Sequence, residues 1–372
     1  MGRELKEFLI NKIAAGPLRF YDFMKYALYH PCWGYYVKDK IKIGKEGDFY
    51  TSPHVHSAFG HCIADQLHEM WTICHKPKDF YLVEAGPGTG LLAGDILEYC
   101  QKHEDFFTAI KYVLMETSPY MIEIQKNKLE KYAAKCIWIK SLASLNSFTG
   151  VVFSNELLDA FPVHKVTKIG NELKEVYINY QDGSFYETPG EISTHDIMVY
   201  INELHIELKD GQELEINLEA KEWLTELASK LDKGFVITID YGYKISELDE
   251  PFRFKGTLMS YSNHTSTEDV LGHPGEQDIT SHVNFSALKH FGEKVGLQTA
   301  GYTSQMRFLI NLGIADKMTL GPDVEGVKNS LALKRLTLPD GMGERFKVLV
   351  QYKGLEVTKL KGLSGFFDTL KI

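Results

Sequence analysis

The run Glu84-Ala85-Gly86-Pro87-Gly88-Thr89-Gly90 places three glycines at alternate positions behind a carboxylate. Glycine lets a main chain turn sharply and come close to a ligand, and a helix that starts there aims its free N–H groups at a negative group. A dinucleotide turn wants its third glycine three positions after the second, where this chain has Leu91. Glu116, one helix later, is a carboxylate able to accept hydrogen bonds from both hydroxyls of a ribose. Farther on stands Ser154-Asn155-Glu156-Leu157-Leu158-Asp159-Ala160-Phe161-Pro162. Glu156 or Asp159 could hold and partly deprotonate a guanidinium or an amine through a charge-assisted hydrogen bond. The same residues could instead cap the next helix, with Asn155 or Ser154 at the N-cap.

Such groups meet only if the chain delivers them to one edge, and the hydrophobic patterning describes how. Phe80–Glu84, Ile110–Glu116, Cys136–Lys140, Gly150–Asn155 and Gly234–Asp240 read as buried strands, alternating with helices at Leu91–Cys100, Pro119–Ala134 and Glu219–Leu231. Phe285–Val295 reads as a further helix, Leu297–Ser304 as a strand and Phe346–Tyr352 as the closing strand. This alternation predicts an α/β fold, a doubly wound and mostly parallel sheet with right-handed crossovers. Its ligands gather beyond the carboxyl ends of the strands.

Ahead of the sheet, helices at Glu4–Ile13, Phe20–Tyr29 and His56–Trp71 predict an N-terminal helical cap over residues 1–75. Between residues 163 and 218 the pattern turns to hairpins. Lys174–Tyr180 before Gln-Asp-Gly-Ser, and Leu204–Leu208 before Lys-Asp-Gly-Gln, predict an antiparallel insertion. The sheet domain then comprises residues 76–162 and 219–372. Residues 243–283 read as one long irregular loop rich in Ser, Asn, His, Gly and Pro.

Bulk composition narrows the function classes. With 41 basic against 50 acidic side chains the formal charge is −9, which excludes wholesale binding to a nucleic-acid backbone. Five cysteines, odd in number, widely spaced and without a C-x-x-C pair, give neither a disulfide framework nor a structural zinc site. His264, His273 and His282 beside Glu276 and Asp278 lack helical metal-ligand spacing, so no metal is expected; Glu276, Asp278 and His282 could line an acceptor channel. Trp33, Tyr35 and Tyr36 read as packing rather than as an aromatic cage. No apolar run reaches the length of a membrane span, and Glu4 and Glu7 argue against a leader peptide, which together predict a cytoplasmic protein.

The acid-x-Gly-x-Gly-x-Gly turn resembles motif I of class I methyltransferases dependent on S-adenosylmethionine (SAM). With it go His30-Pro-Cys-Trp-Gly-Tyr-Tyr36, Gly47-Asp-Phe-Tyr-Thr-Ser-Pro53, Glu116-Thr-Ser-Pro119, Ser154–Pro162, Ile239-Asp-Tyr-Gly242, Gly256-Thr-Leu-Met-Ser-Tyr261, Pro274–Thr280 and Gly341–Leu349. Spread in order over nearly the whole chain, these runs resemble the MidA family, which includes the mitochondrial complex I assembly methyltransferase. The chain departs from that pattern at His54, Thr89, Leu157 and Phe161.

The resemblance implies a seven-stranded class I sheet and SAM as cofactor. Thr51, Ser52, Glu84, Gly86, Gly88, Gly90, Glu116, Ser141 and Asn155 would hold it, with Glu156 and Asp159 as the catalytic carboxylates. It also implies a protein substrate such as a respiratory-complex subunit and an arginine as acceptor, and it allows a homodimer; the cytoplasmic location is that of a bacterial-type member. A mitochondrial matrix location follows only if a presequence lies outside this chain. Two alternatives stand beside this: a small-molecule methyltransferase, and a non-catalytic assembly factor that keeps the SAM fold.

Overall fold

The computed structural model describes residues 2–38, 51–262, 265–356, 359–366 and 369–372. Residues 47–50 of the Gly47–Pro53 run and His264 lie outside them. The chain divides into two compact units, each assembled from separated stretches. One comprises residues 50–157, 224–242 and 291–372; the other comprises 1–49, 158–223 and 243–290.

The first unit carries the main sheet. Its strands are β1 Phe80–Ala85, β2 Ile110–Met115, β3 Cys136–Ile139, β4 Phe148–Asn155, β5 Leu231–Tyr243, β6 Gln298–Ser304 and β7 Phe346–Lys353. Across the sheet their order is β3-β2-β1-β4-β5-β7-β6. The first five run parallel. β7 lies antiparallel to both β5 and β6. Seven strands thus form the path of a mostly parallel sheet, as expected; an eighth, the two-residue Val283–Asn284, pairs with β5 off that path. The strand order reverses between β1 and β4.

Apolar runs buried on both faces make these strands. Leu82, Val151, Phe153, Phe235, Ile237 and Val350 share one core with Phe59, Ile63, Leu67 and Met70, which recur along the helix Ala58–Ile73. Each such side chain contributes about 1.5–3 kcal/mol on burial. That packing explains why Ala58–Ile73 belongs to the sheet unit and not with the first two helices, as a cap over residues 1–75 would have it. Those two, Gly2–Ile13 and Phe20–Tyr29, bury Leu5, Leu9, Phe20, Phe23 and Met24 against Val163, Ile178 and Ile279 in a separate core.

The second unit holds the antiparallel sheet. Glu172–Gln181 pairs with Leu18–Arg19, His164–Ile169 and Ser184–Gly190, and His164–Ile169 pairs with Glu213–Ile216. The Asp182-Gly183 turn has both φ angles positive (51° and 89°), the geometry that a two-residue hairpin needs. Leu204–Leu208 is not a strand. The helix His195–Glu203 precedes it, started by Thr194, whose side chain accepts from the Asp196 N–H. The stretch read as one irregular loop contains three short paired strands, Met259–Ser262, Thr265–Thr267 and Asp278–Thr280. Two helices of the first unit, Gln305–Asn311 and Val324–Thr337, also escape the sequence pattern.

The middle of the main sheet depends on two glycines in register. Gly150 of β4 faces Tyr81 of β1 on one side and Gly234 of β5 on the other. A Cβ at Gly150 would run into the Tyr81 carbonyl oxygen, and one at Gly234 into the Gly150 oxygen. Neither obstacle is a flexible side-chain tip, so strands must move apart to admit a methyl group. Gly150→Ala is expected to cost ~1–3 kcal/mol and to lower the melting temperature by several degrees, read by thermal denaturation.

Candidate cofactor and active site

Three strand ends line up in the sheet unit. Ala85 of β1 is in register with Met115 of β2 and with Ser154 of β4. The next residue on each strand is therefore Gly86, Glu116 or Asn155, side by side at the carboxyl edge where the strand order reverses. The ladder continues one step, Gly86 N–H donating to the Met115 carbonyl, Glu116 N–H to Ile139 and Glu156 N–H to Ile239.

Between β1 and the helix Leu91–Cys100 the chain turns left-handed at each glycine, with φ of 68° at Gly86, 51° at Gly88 and 76° at Gly90. A side chain at any of these would be strained. At Gly86 it would also meet Leu157 Cδ1 at 2.9 Å. The turn thus presents main chain alone, ahead of a helix N-terminus that favours a carboxylate.

Glu116 is held firmly. Its Oε1 accepts from the N–H groups of Thr117 (2.7 Å) and Ser118 (2.8 Å), and its Oε2 from Gln125 Nε2 (3.2 Å). Glu84 is buried beneath the turn, where its Oε2 receives the Tyr112 hydroxyl at 2.6 Å. Burial pushes the Glu84 carboxyl up to about 7, against the opposing pull of Tyr112.

Past β4, Glu156 adopts a left-handed φ of 55°, uncommon for a residue with a side chain and typical of functional sites. Its Oε1 accepts from Asn155 Nδ2 (3.0 Å) and from the Ser52 N–H (3.3 Å). Asp240 braces the same corner by accepting from the Leu157 N–H at 3.2 Å. The Ser52 hydroxyl meets Gln305 Oε1 at 3.0 Å, and Thr51 Oγ1 meets His54 Nδ1 at 2.8 Å. Asn155 Oδ1 is buried with no hydrogen-bond partner among the described residues. An acceptor left in that state is available to a donor from outside the described residues, such as a bound molecule.

Thr51, Ser52, Gly86, Gly88, Gly90, Glu116, Asn155 and Glu156 therefore belong to one unit and, except for Thr51 and Ser52, follow strand ends of one sheet. Ser141 lies just past β3, ahead of the turn Leu142–Ser144. Asp159 is assigned to the other unit. The unit boundary falls between Leu157 and Leu158, and the Asp159 carbonyl accepts from the Ser281 N–H within the antiparallel unit. There Asp278 is buried and receives the Tyr36 hydroxyl on both oxygens, at 2.9 and 2.8 Å, while Tyr29 stacks on Tyr36 and donates to the Ala160 carbonyl. His282 Nδ1 faces Arg253 Nη1 at 3.0 Å.

Sequence reasoning missed Gln125. It is fully buried and also donates to the Gly88 carbonyl at 2.8 Å, while its Oε1 accepts from Trp138 Nε1 at 3.0 Å. A signal did exist: Met121, Gln125 and Leu129 recur every four residues as the buried stripe of their helix, and an amide in an apolar stripe calls for partners.

A family model described as "Putative S-adenosyl-L-methionine-dependent methyltransferase" matches residues 62–303. The chain belongs to this family. Among its relatives is "Protein arginine methyltransferase NDUFAF7, mitochondrial" of Danio rerio, 29% identical, covering 98% of this chain and 92% of that protein. The homologue so named in Caenorhabditis elegans is 30% identical over 84% of this chain and 77% of its own. A crystal structure from Burkholderia thailandensis bound to S-adenosyl-homocysteine superposes with a TM-score of 0.89 at 29% identity, covering 98% of this chain and 95% of that one.

The resemblance to the MidA family thus stands, and the chain is a class I methyltransferase with SAM as its cofactor. The left-handed glycine turn, the fixed Glu116 carboxylate and the partnerless Asn155 oxygen are a donor and acceptor set that fits a zwitterionic nucleoside.

Glu84 gives the fold a pH signature. Its folded pKa lies above the ordinary 4.5, so its share of stability is complete below pH 4.5 and is lost as the pH rises toward 7. Gln at 84 stays neutral throughout. Between pH 5 and 7.5, wild type is expected to lose stability relative to Glu84→Gln by on the order of 2 kcal/mol. Denaturant melts across that window read the difference, and parallel curves would refute it.

Proposed function

We propose that this methyltransferase transfers the methyl group of SAM to an arginine side chain of a protein. The observation that carries the proposal is a fixed carboxylate, Glu156, in the unit that bears the glycine turn. The names of the relatives as protein arginine methyltransferases support it.

SAM, when bound, supplies an electrophilic methyl group on a sulfonium. The chain's own residues have the task of alignment. Main-chain N–H groups after β1 and the start of the helix Leu91–Cys100 take a carboxylate, Glu116 takes ribose hydroxyls, and Asn155 offers its oxygen to a donor. Thr51 and Ser52 lie at the Glu156 corner, and Ser141 past β3 serves the nucleoside end. Glu156, its Oε1 fixed by Ser52 and Asn155, orients the guanidinium. It holds positive charge on the nitrogens that do not react and so leaves one lone pair sharper. Glu156 is favoured over Asp159 for this role because its carboxylate is anchored by Ser52 and Asn155.

A respiratory-complex subunit is the substrate class that the resemblance suggests. The relatives' names place them in mitochondria, which gives the cytoplasmic expectation no support. Among the described residues no helix is long and apolar enough to cross a membrane.

The test is transfer of labelled methyl from SAM to candidate subunits and arginine peptides, with the site read by mass spectrometry. Gly88→Val, a β-branched residue at a left-handed position, is expected to abolish labelling and cofactor binding together. Glu156→Gln should lower turnover by about 100-fold or more while S-adenosyl-homocysteine binds as before. Label confined to small metabolites, or full turnover by Glu156→Gln, would overturn the proposal.

A further inference from the structure

We propose that Gln125 is a positioning residue of the cofactor site, setting the plane of the Glu116 carboxylate and pinning the glycine turn through one amide. The inference rests on the reading of that turn as the SAM site.

A primary amide has two N–H donors and one carbonyl acceptor. At Gln125 the nitrogen donates to Gly88 O (2.8 Å) and Glu116 Oε2 (3.2 Å), and the oxygen accepts from Trp138 Nε1 (3.0 Å). One side chain thus joins the turn after β1, the acid after β2 and an indole on β3. Packing does not account for it. The position belongs to an apolar stripe with no exposure at all, where methionine or leucine would fill similar space without a desolvation cost.

Two consequences follow from the geometry. In a trans peptide the C=O and N–H point in opposite directions. Holding the Gly88 carbonyl toward Gln125 therefore aims the Thr89 N–H away from it, as a fixed donor. On Glu116, two main-chain donors fix Oε1 and Gln125 fixes Oε2, so the carboxylate cannot rotate about its last bond. A carboxylate presented in one plane can meet two adjacent hydroxyls together, and a rotating one pays ordering entropy on each binding event. Trp138 is half-buried, with Lys126 Nζ 5.6 Å from its ring centre.

The experiment uses Gln125→Met in the full chain, nearly isosteric and without the amide. Calorimetry with S-adenosyl-homocysteine gives the affinity. Competition by adenosine and by 2′-deoxyadenosine gives the contribution of the ribose diol. Loss of hydrogen bonds to a charged group should weaken S-adenosyl-homocysteine by about tenfold or more. The preference for adenosine over 2′-deoxyadenosine should shrink. A purely structural role would lower the melting temperature and leave the preference between the two nucleosides intact in the folded protein.

Should Gln125→Met not fold, Trp138→Phe removes only the indole donor and frees the amide to flip. It should weaken binding by about two- to fivefold with the same loss of nucleoside preference. Unaltered affinity and preference in whichever variant folds overturns the inference alone. Failure of the wild type to bind S-adenosyl-homocysteine overturns the cofactor reading and this inference with it.

Discussion

A main chain that turns left-handed three times in five residues can persist only where no side chain opposes it and where its loose peptide groups are tied down. Here the tie is the register of three parallel strands. Because Ala85, Met115 and Ser154 share one level, the turn, the acid and the amide that follow them emerge together, and Gly86 already belongs to the ladder through the Met115 carbonyl. The geometry of the site is thus a property of the sheet. The sheet in turn depends on Gly150 and Gly234, whose missing side chains let β1, β4 and β5 close up. Binding geometry and strand packing are set by the same absence of Cβ atoms.

Much of this was legible in the residue order because it is local. The helices Phe20–Tyr29 and Leu91–Cys100 fall where apolar spacing and the flanking His30-Pro31 and Gly90 put them. The parallel strands follow from short apolar runs ended by glycine or acid, and the Asp182-Gly183 hairpin from its turn residues. Leu204–Leu208 misled because Ile206 and Leu208 alternate with polar residues as an edge strand would, whereas the capped helix before them brings them in as irregular chain. The helix Val324–Thr337 was invisible for the opposite reason. Val324, Val327 and Leu331 are exposed, and Gly326 sits in its first turn, so apolar spacing does not mark its buried side.

The site divides in the same way. Its motif residues announce themselves by type and spacing, whereas their supports do not. Gln125 touches residues from 9 to 37 positions away, and the Glu84–Tyr112 bond spans 28. Pairings of that reach are fixed by crossovers and register, which no local pattern encodes. Between Glu156 and Asp159, three residues apart, the chain passes from one compact unit to the other, a boundary that no local pattern marks.

That division has a consequence for how the protein is made. The chain crosses between its two units five times, at residues 49/50, 157/158, 223/224, 242/243 and 290/291. Neither unit is a continuous stretch of message: the antiparallel one is complete only after residue 290, and the sheet unit still needs residues 291–372. The first two helices must wait for partners such as Ile178 and Ile279. The glycine turn can form early, but its sheet lacks β6 and β7 until residues 298–353 are synthesised. A nascent chain of this design keeps apolar helices and open strand edges uncovered through most of translation, the condition in which chains depend on chaperones.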